Sequence, residues 1–284
     1  MRPEPASAGP RRLGNRAFLA AVWVSGVIGI LLPAGITVHL LAHGGKLLDP
    51  SFLFGRPRGT PLGSAGGILP AIAGSFSLVS LGFALALPLA LCGALYLSEF
   101  SRSARVTHGA RLAIESLAAV PSIVYGLFGY AFFVVLLRMG TSLAAGSFVL
   151  AIVMFPIILI TTQEAFDAVP REYREAALSL GVDRCAWIFR VLLPKAWMRI
   201  LAGVVLAVGH AMGSAAPVLF TAAVFFSAGS LQLDRPVMTL PTHLYFLVSE
   251  AVSFPNAYGT ASVLVVGLFL FNAAAMALRH IGQE

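Results

Sequence analysis

Charge is what this sequence has least of. Of its 284 residues, 11% are charged and 58% are hydrophobic, and the mean hydropathy is +0.88. Soluble domains carry about 25% charged residues, so the chain lacks the polar surface to cover a water-soluble core, and its solvent is the bilayer. Cysteine is nearly missing too. Cys92 and Cys185 are the only two, which leaves no disulfide framework and no zinc-ligand cluster to read. Cys92 lies in an apolar run and reads as a small packing residue. Only two lysines occur, Lys46 and Lys195, and Gly45-Lys46 is followed by Leu47. No Gly-x4-Gly-Lys-Ser/Thr phosphate loop exists, so nucleotide hydrolysis is not expected in this chain. His-Glu-x-x-His and Gly-x-Ser-x-Gly are absent as well. His39, His108, His210 and His280 are scattered. A membrane-embedded enzyme is therefore disfavoured, and no catalytic residue, metal ligand or cofactor is expected. Strand-type alternation is lacking, which argues against a β-barrel.

Long apolar runs are what the sequence has instead. A spanning helix needs about 20 apolar residues. Six runs free of Asp, Glu, Lys and Arg qualify: 18–38, 71–97, 116–137, 141–162, 200–231 and 251–278. The expected fold is an all-α, polytopic membrane helix bundle of six transmembrane helices. Residues 1–17 read as a cytoplasmic tail and 18–284 as one transmembrane domain. The first run exceeds the 7–15 residues usual for a signal-peptide core, so it reads as a retained helix. Lys and Arg number 14 on the side of both termini and 5 on the other; by the positive-inside rule, both termini and loop 164–199 are cytoplasmic. The excess of basic residues, a net charge of +7, thus reflects orientation rather than nucleic-acid binding. Stretch 55–67, rich in Gly and Pro, reads as an extracytoplasmic loop. Arg111 and Glu115 are spaced to pair on a helix, and Pro121-Ser122 is placed to bend the third span. His243, Asp234 and Glu250 read as solvated loop residues.

Loop 164–199 carries the most specific pattern. Pro170 suits a first helical position. Tyr173, Ala176, Ala177 and Leu180 recur at i, i+3, i+4 and i+7, the apolar face of one short helix. Gly181 fits the left-handed position that ends it. Asp183 can cap a second short helix with Cys185, Ile188, Phe189 and Leu192 on its apolar face, and Pro194 is expected to stop it. Two small amphipathic helices make a compact knob, suited to passing movement from a partner to the spans or to lying at the lipid interface.

Glu175-Ala176-Ala177, three residues, Gly181, nine residues, Val191, one residue, Leu193-Pro194 resembles the EAA loop of ABC importer permeases. The family pattern is Glu-Ala-Ala-x3-Gly-x9-Ile-x-Leu-Pro, and only Val for Ile departs from it. The resemblance implies the MetI-like permease fold. It also implies that Arg171, Tyr173, Glu175, Ala176, Ala177, Gly181 and Pro194 couple to an ATPase. Further stretches resemble phosphate permeases of the PstA type: 66–72 (Gly-Gly-Ile-Leu-Pro-Ala-Ile), 87–89 with 96–100, and 120–128 (Val-Pro-Ser-Ile-Val-Tyr-Gly-Leu-Phe). This implies a phosphate importer in a bacterial or archaeal inner membrane. Its implied partners are a second, PstC-like permease, a dimer of ATP-binding subunits and an extracytoplasmic substrate-binding protein.

One segment departs from that family. Where it usually reads Arg-Ala-x-Gly-Glu-Thr-Ala-Pro, this chain has His210-Ala211-Met212-Gly213-Ser214-Ala215-Ala216-Pro217. Both charged residues are replaced, which leaves open another oxyanion, or a scaffold or sensor that no longer transports. On one continuous helix His210, Ser214, Pro217 and Thr221 share an arc of about 60°. Polar groups in a membrane usually face the bundle interior or a water-filled path, so these four, with Pro121 and Ser122, are the candidate translocation residues. The competing reading is packing: Gly209 and Gly213 form a GxxxG pattern.

Overall fold

The computed structural model describes residues 9–101, 103–226 and 231–281. Among the described residues five helices are long and apolar enough to cross a membrane, and a sixth is added if a pair bent by 92° counts as one broken span. The elements are α1 (Gly9–Gly44), α2 (Pro50–Phe54), a two-stranded antiparallel ladder of β1 (Pro57–Arg58) and β2 (Ala65–Gly66), α3 (Leu69–Leu95), α4 (Ala104–Ala118), α5 (Ser122–Gly129), α6 (Leu143–Asp167), α7 (Arg171–Ser179), α8 (Arg184–Trp187), α9 (Leu193–Gly213), α10 (Ala215–Thr221), α11 (Leu240–Ser249) and α12 (Phe254–Ile281). Wide i→i+5 turns extend α3 through Tyr96–Phe100 and α5 through Tyr130–Leu136, and join α8 to α9 through Ile188–Leu192.

The centre is α6, packed between α3 and α9. In lipid no hydrophobic gain separates helix–helix from helix–tail contact, so small residues that let backbones approach do the joining. A Cβ on Gly82 of α3 would lie 2.9 Å from the Ser147 carbonyl of α6. Close by, the Ser147 hydroxyl lies 3.2 Å from the Leu78 carbonyl and 2.7 Å from its own Leu143 carbonyl. Gly203 of α9 sits against Thr161 of α6 in the same way. Leu78, Leu150, Met154, Ile158, Leu159, Leu192 and Val218 fill the space between. α1 lies outside this core, against α12, joined where the Ser262 hydroxyl donates to the Leu40 carbonyl at 3.0 Å.

Helix α1 starts at Gly9, and its membrane-length apolar part starts at Phe18; residues 1–8 lie outside the described residues. Three expectations are corrected. The third span is not one helix from 116 to 137. α4 and the segment 122–136 meet at 92°, because Pro121 is extended (φ −57°, ψ 137°) and cannot continue α4. The bend expected at Pro121-Ser122 is therefore a full break. Segment 122–136 spans about 22 Å at 1.5 Å per residue, short of the hydrocarbon thickness. Cys92 is exposed rather than packed. Arg111 and Glu115 do pair, at 3.0 Å, but with both side chains half exposed the pair contributes about 0.5 kcal/mol or less.

The third correction is His243, which is 2% exposed on α11, between the fifth and last spans. Its Nδ1 lies 3.3 Å from the Thr260 hydroxyl, and that hydroxyl donates to the Asn256 carbonyl at 2.8 Å. The imidazole is thus assigned as the Nδ1–H donor. Burial lowers its pKa from 6.5 to about 4. The folded protein refuses a proton that the unfolded chain accepts, so folding stability is greatest above pH 6.5 and falls as pH drops from 6.5 towards 4. The expected loss is on the order of 1 kcal/mol per pH unit. Thermal melts of the detergent-solubilised protein between pH 7 and 4 test this: the acid-side fall should be shallower in His243→Gln than in wild type.

Candidate functional site

The hairpin between α6 and α9 follows from local chemistry. Pro170, at φ −57° and ψ 136°, caps α7 one residue before its first helical position, and its carbonyl accepts from the Tyr173 amide at 3.2 Å. At the other end Gly181 has φ +72°. Its amide donates to Leu178 and the Val182 amide donates to Ala177, both at 3.0 Å. Those two bonds are a Schellman motif, as Gly181 was expected to provide. Asp183 then caps α8, accepting from the Cys185 and Ala186 amides at 3.2 and 3.4 Å, an arrangement worth about 1 kcal/mol.

Beyond Asp183 the structure departs from the two-helix knob. Pro194 does not stop the second helix. The i→i+5 turn over Ile188–Leu192 precedes it and takes up the clash and missing N–H that a proline brings to an α-helix. Helix therefore runs unbroken from Arg184 to Gly213, 30 residues and about 45 Å. The second arm of the hairpin is the start of the fifth span itself.

The expected apolar faces are redistributed. Ala177, Trp187, Ile188 and Leu192 turn inward to the main core. Tyr173, Ala176 and Cys185 are exposed, as are Leu180 at 82% and Phe189 at 68%. The Lys195 ammonium sits 5.0 Å from the Tyr173 ring centre, and Arg171 and Glu175 are on the surface. The hairpin thus keeps one face in the protein and offers an apolar, basic-flanked face outward, a surface of the kind that partners cover.

At the far end of the 30-residue helix, Ser214 is extended (φ −80°, ψ 98°). The helix breaks there, and α10 starts in a new direction. The proposed stripe assumed continuity and is split by this break. His210, exposed, and Ser214 border a groove of about 420 Å³ with Ser122 and Asn272. Pro217 and Thr221 are instead buried on α10, against Gly126 and Gly129 of α5. Pro121 is exposed at the α4–α5 break. The hydroxyls are committed as well: Ser214 donates to the His210 carbonyl at 2.9 Å and Thr221 to the Pro217 carbonyl at 2.8 Å. Neither has a proton left for a ligand. Gly209 and Gly213 face Phe271 and Leu268 of α12, which fits the packing reading of the GxxxG pattern and turns His210 outward.

Sequence reasoning missed five residues. Asn272 joins the groove, its amide bonded to the Leu268 carbonyl at 2.9 Å; an amide in the middle of an apolar span was the available signal. Glu99 meets Arg174, and Arg184 lies on Phe100, which attaches the hairpin to the end of span two; nothing in the sequence spacing brings either pair together.

Comparison with known proteins places this architecture. The family of binding-protein-dependent transport system inner membrane components matches residues 82–281. A Bacillus subtilis protein named "Probable ABC transporter permease protein YqgI" is 31% identical over 85% of this chain and 86% of its own. The Haemophilus influenzae phosphate transport system permease protein PstA is 31% identical over 92% and 91%; its Xylella fastidiosa namesake is 30% identical over 94% and 93%. The fold is also that of the permease chain in inward-facing structures of the MetNI methionine ABC transporter (TM-score 0.59, 17% identity, 76% of this chain and 94% of that one). An ABC permease is not itself an enzyme; it works with an ATPase and a substrate-binding protein. With a fold and a family match that agree, this chain belongs to the binding-protein-dependent transport system inner membrane components and is the permease subunit of an ABC importer.

Proposed function

We propose that the chain is one of two permeases enclosing the pathway of an inorganic phosphate importer, its partner being a different, PstC-like subunit. The observation that carries the substrate is the set of phosphate transport permeases about 30% identical over more than nine-tenths of this chain. The excess of Lys and Arg on one side, 14 against 5, supports placing both termini and loop 164–199 in the cytoplasm. There the exposed face of α7, with Tyr173, Glu175, Ala176 and Leu180, meets an ATPase subunit. Closure and reopening of the ATPase dimer moves the hairpin. Because Arg184–Gly213 is one stiff helix, that displacement arrives at the Ser214 break rather than dissipating in a loop. The half-spans on either side of it then exchange outward- and inward-facing arrangements. No covalent intermediate forms.

The pathway residues are His210, Ser122 and Asn272. The imidazole and amide N–H groups supply donors for an oxyanion, while Ser214 holds the His210 turn by its own hydrogen bond. A second reading, another oxyanion, is favoured by one observation: among the described residues those lining this groove include no Arg, Lys, Asp or Glu. Reconstitution with the cognate partner permease, ATPase and binding protein, followed by competition among phosphate, sulfate and molybdate, decides between them. Phosphate should compete best, and preferential competition by either other anion would reassign the substrate. ATP-independent flux would overturn the importer mechanism. In the same vesicles His210→Ala should lower uptake about tenfold, the loss expected for one hydrogen bond to a charged group; unchanged uptake would remove His210 from the path. Gly181→Val forces a β-branched residue into the left-handed region at a cost of about 1–2 kcal/mol. It should leave hydrolysis running while uptake falls, and Gly181→Asn should fall less.

A further inference from the structure

Span two ends in an unusual place for a carboxylate. The side chain of Glu99, in the wide turn that follows α3, is 6% exposed, and its Oε2 lies 3.3 Å from Nη2 of Arg174 on α7. The next residue, Phe100, carries the guanidinium of Arg184 at 5.2 Å from its ring centre. Arg174 belongs to the first arm of the hairpin, and Arg184 opens the 30-residue helix. The two arms therefore fasten to adjacent residues, Glu99 and Phe100, in the turn that ends span two. The seam is otherwise loosely filled. A cavity of about 390 Å³ opens between hairpin and bundle, lined among others by Ser98, Glu99, Arg174 and Trp187. Glu99 Oε2, although within ion-pair distance, is not aligned for a hydrogen bond, and the buried Trp187 Nε1 has no partner either.

We infer that Glu99 is a positioning residue that latches the coupling hairpin to span two through Arg174, with Arg184 on Phe100 as a second tie. This rests on the reading that the hairpin meets the ATPase. A buried carboxylate is costly to leave unpaired, so Glu99 follows the guanidinium when the hairpin shifts. The cavity beside the pair gives the seam room to move without steric clash. Pulling Arg174 thus pulls α3, and α3 is packed along the central α6. The motion of the ATPase enters the bundle at two points: along the 30-residue helix to Ser214, and through Glu99 into span two.

The test uses the complete reconstituted transporter and reads substrate taken up per ATP hydrolysed. Glu99→Gln and Arg174→Gln should each lower that ratio about tenfold, within the range of coupling energies for residues of one ion-pair network, and the double variant should be no worse than either alone. Hydrolysis should stay near wild type, and Arg174→Lys should recover most of the ratio. A merely structural role predicts something else: lower protein yield, with uptake and hydrolysis falling together at a constant ratio. If Glu99→Gln fails to assemble, half-exposed Arg174 decides through its Gln and Lys variants. A wild-type ratio in Arg174→Gln, or additive losses in the double variant, overturns the latch. Absence of ATP-driven uptake in the wild-type transporter would instead overturn the functional reading on which the latch rests.

Discussion

The structure depends on close backbone approach between helices that gain nothing from burying one apolar side chain against another. In water, leucine on leucine holds a bundle together; in lipid the tails offer the same contact. What the tails cannot offer is density. Gly82 against the Ser147 carbonyl, Gly203 against Thr161, Gly126 against the Ala216 carbonyl and Gly146 against Ala222 bring α3, α9, α5 and α10 to their neighbours at distances that exclude a further Cβ. The single Ser147 proton is directed to its own Leu143 carbonyl at 2.7 Å, so the 3.2 Å approach to the Leu78 carbonyl joins the helices mainly by packing. The central α6 and its contacts can then act as the fixed frame against which other parts move.

Those other parts are joined to the frame differently. The hairpin meets it through buried Ala177, Ile188 and Leu192, but also across a cavity bridged by an ion pair. Ion pairs tolerate changes of angle and of a few tenths of an ångström that interlocked side chains do not. The helix from Arg184 to Gly213 is continuous, with a Schellman turn and the Asp183 cap at one end and the extended Ser214 at the other.

The long apolar segments and the punctuation at Gly181 and Asp183 were legible, because each rests on one residue's own backbone preference or on composition over a window. What was not legible required knowing which hydrogen bonds neighbouring residues had already made. His210 and Ser214 are four apart and do share the groove, whereas Thr221 does not, because Ser214 leaves the helical region between them. Periodicity holds only as far as the helix does. Glu99 and Arg174 are 75 residues apart in sequence and meet through tertiary packing alone.

The prolines make the same point most sharply. Pro33, Pro88 and Pro156 lie inside α1, α3 and α6 without ending them, Pro121 breaks its span by 92°, and Pro194 lies in an uninterrupted helix. The residue type is constant, so the difference lies in what surrounds it. A proline removes one donor and crowds the carbonyl four residues back. In a span the orphaned carbonyl can be re-satisfied by neighbouring groups or local adjustment. At Pro194 an i→i+5 turn has already widened the preceding helix, and wide turns of this kind recur at functional sites. Stopping the helix there would have separated the hairpin from the fifth span by a flexible joint. Carrying it through makes the hairpin's second arm and the groove-lining residues His210 and Gly213 parts of one continuous helix.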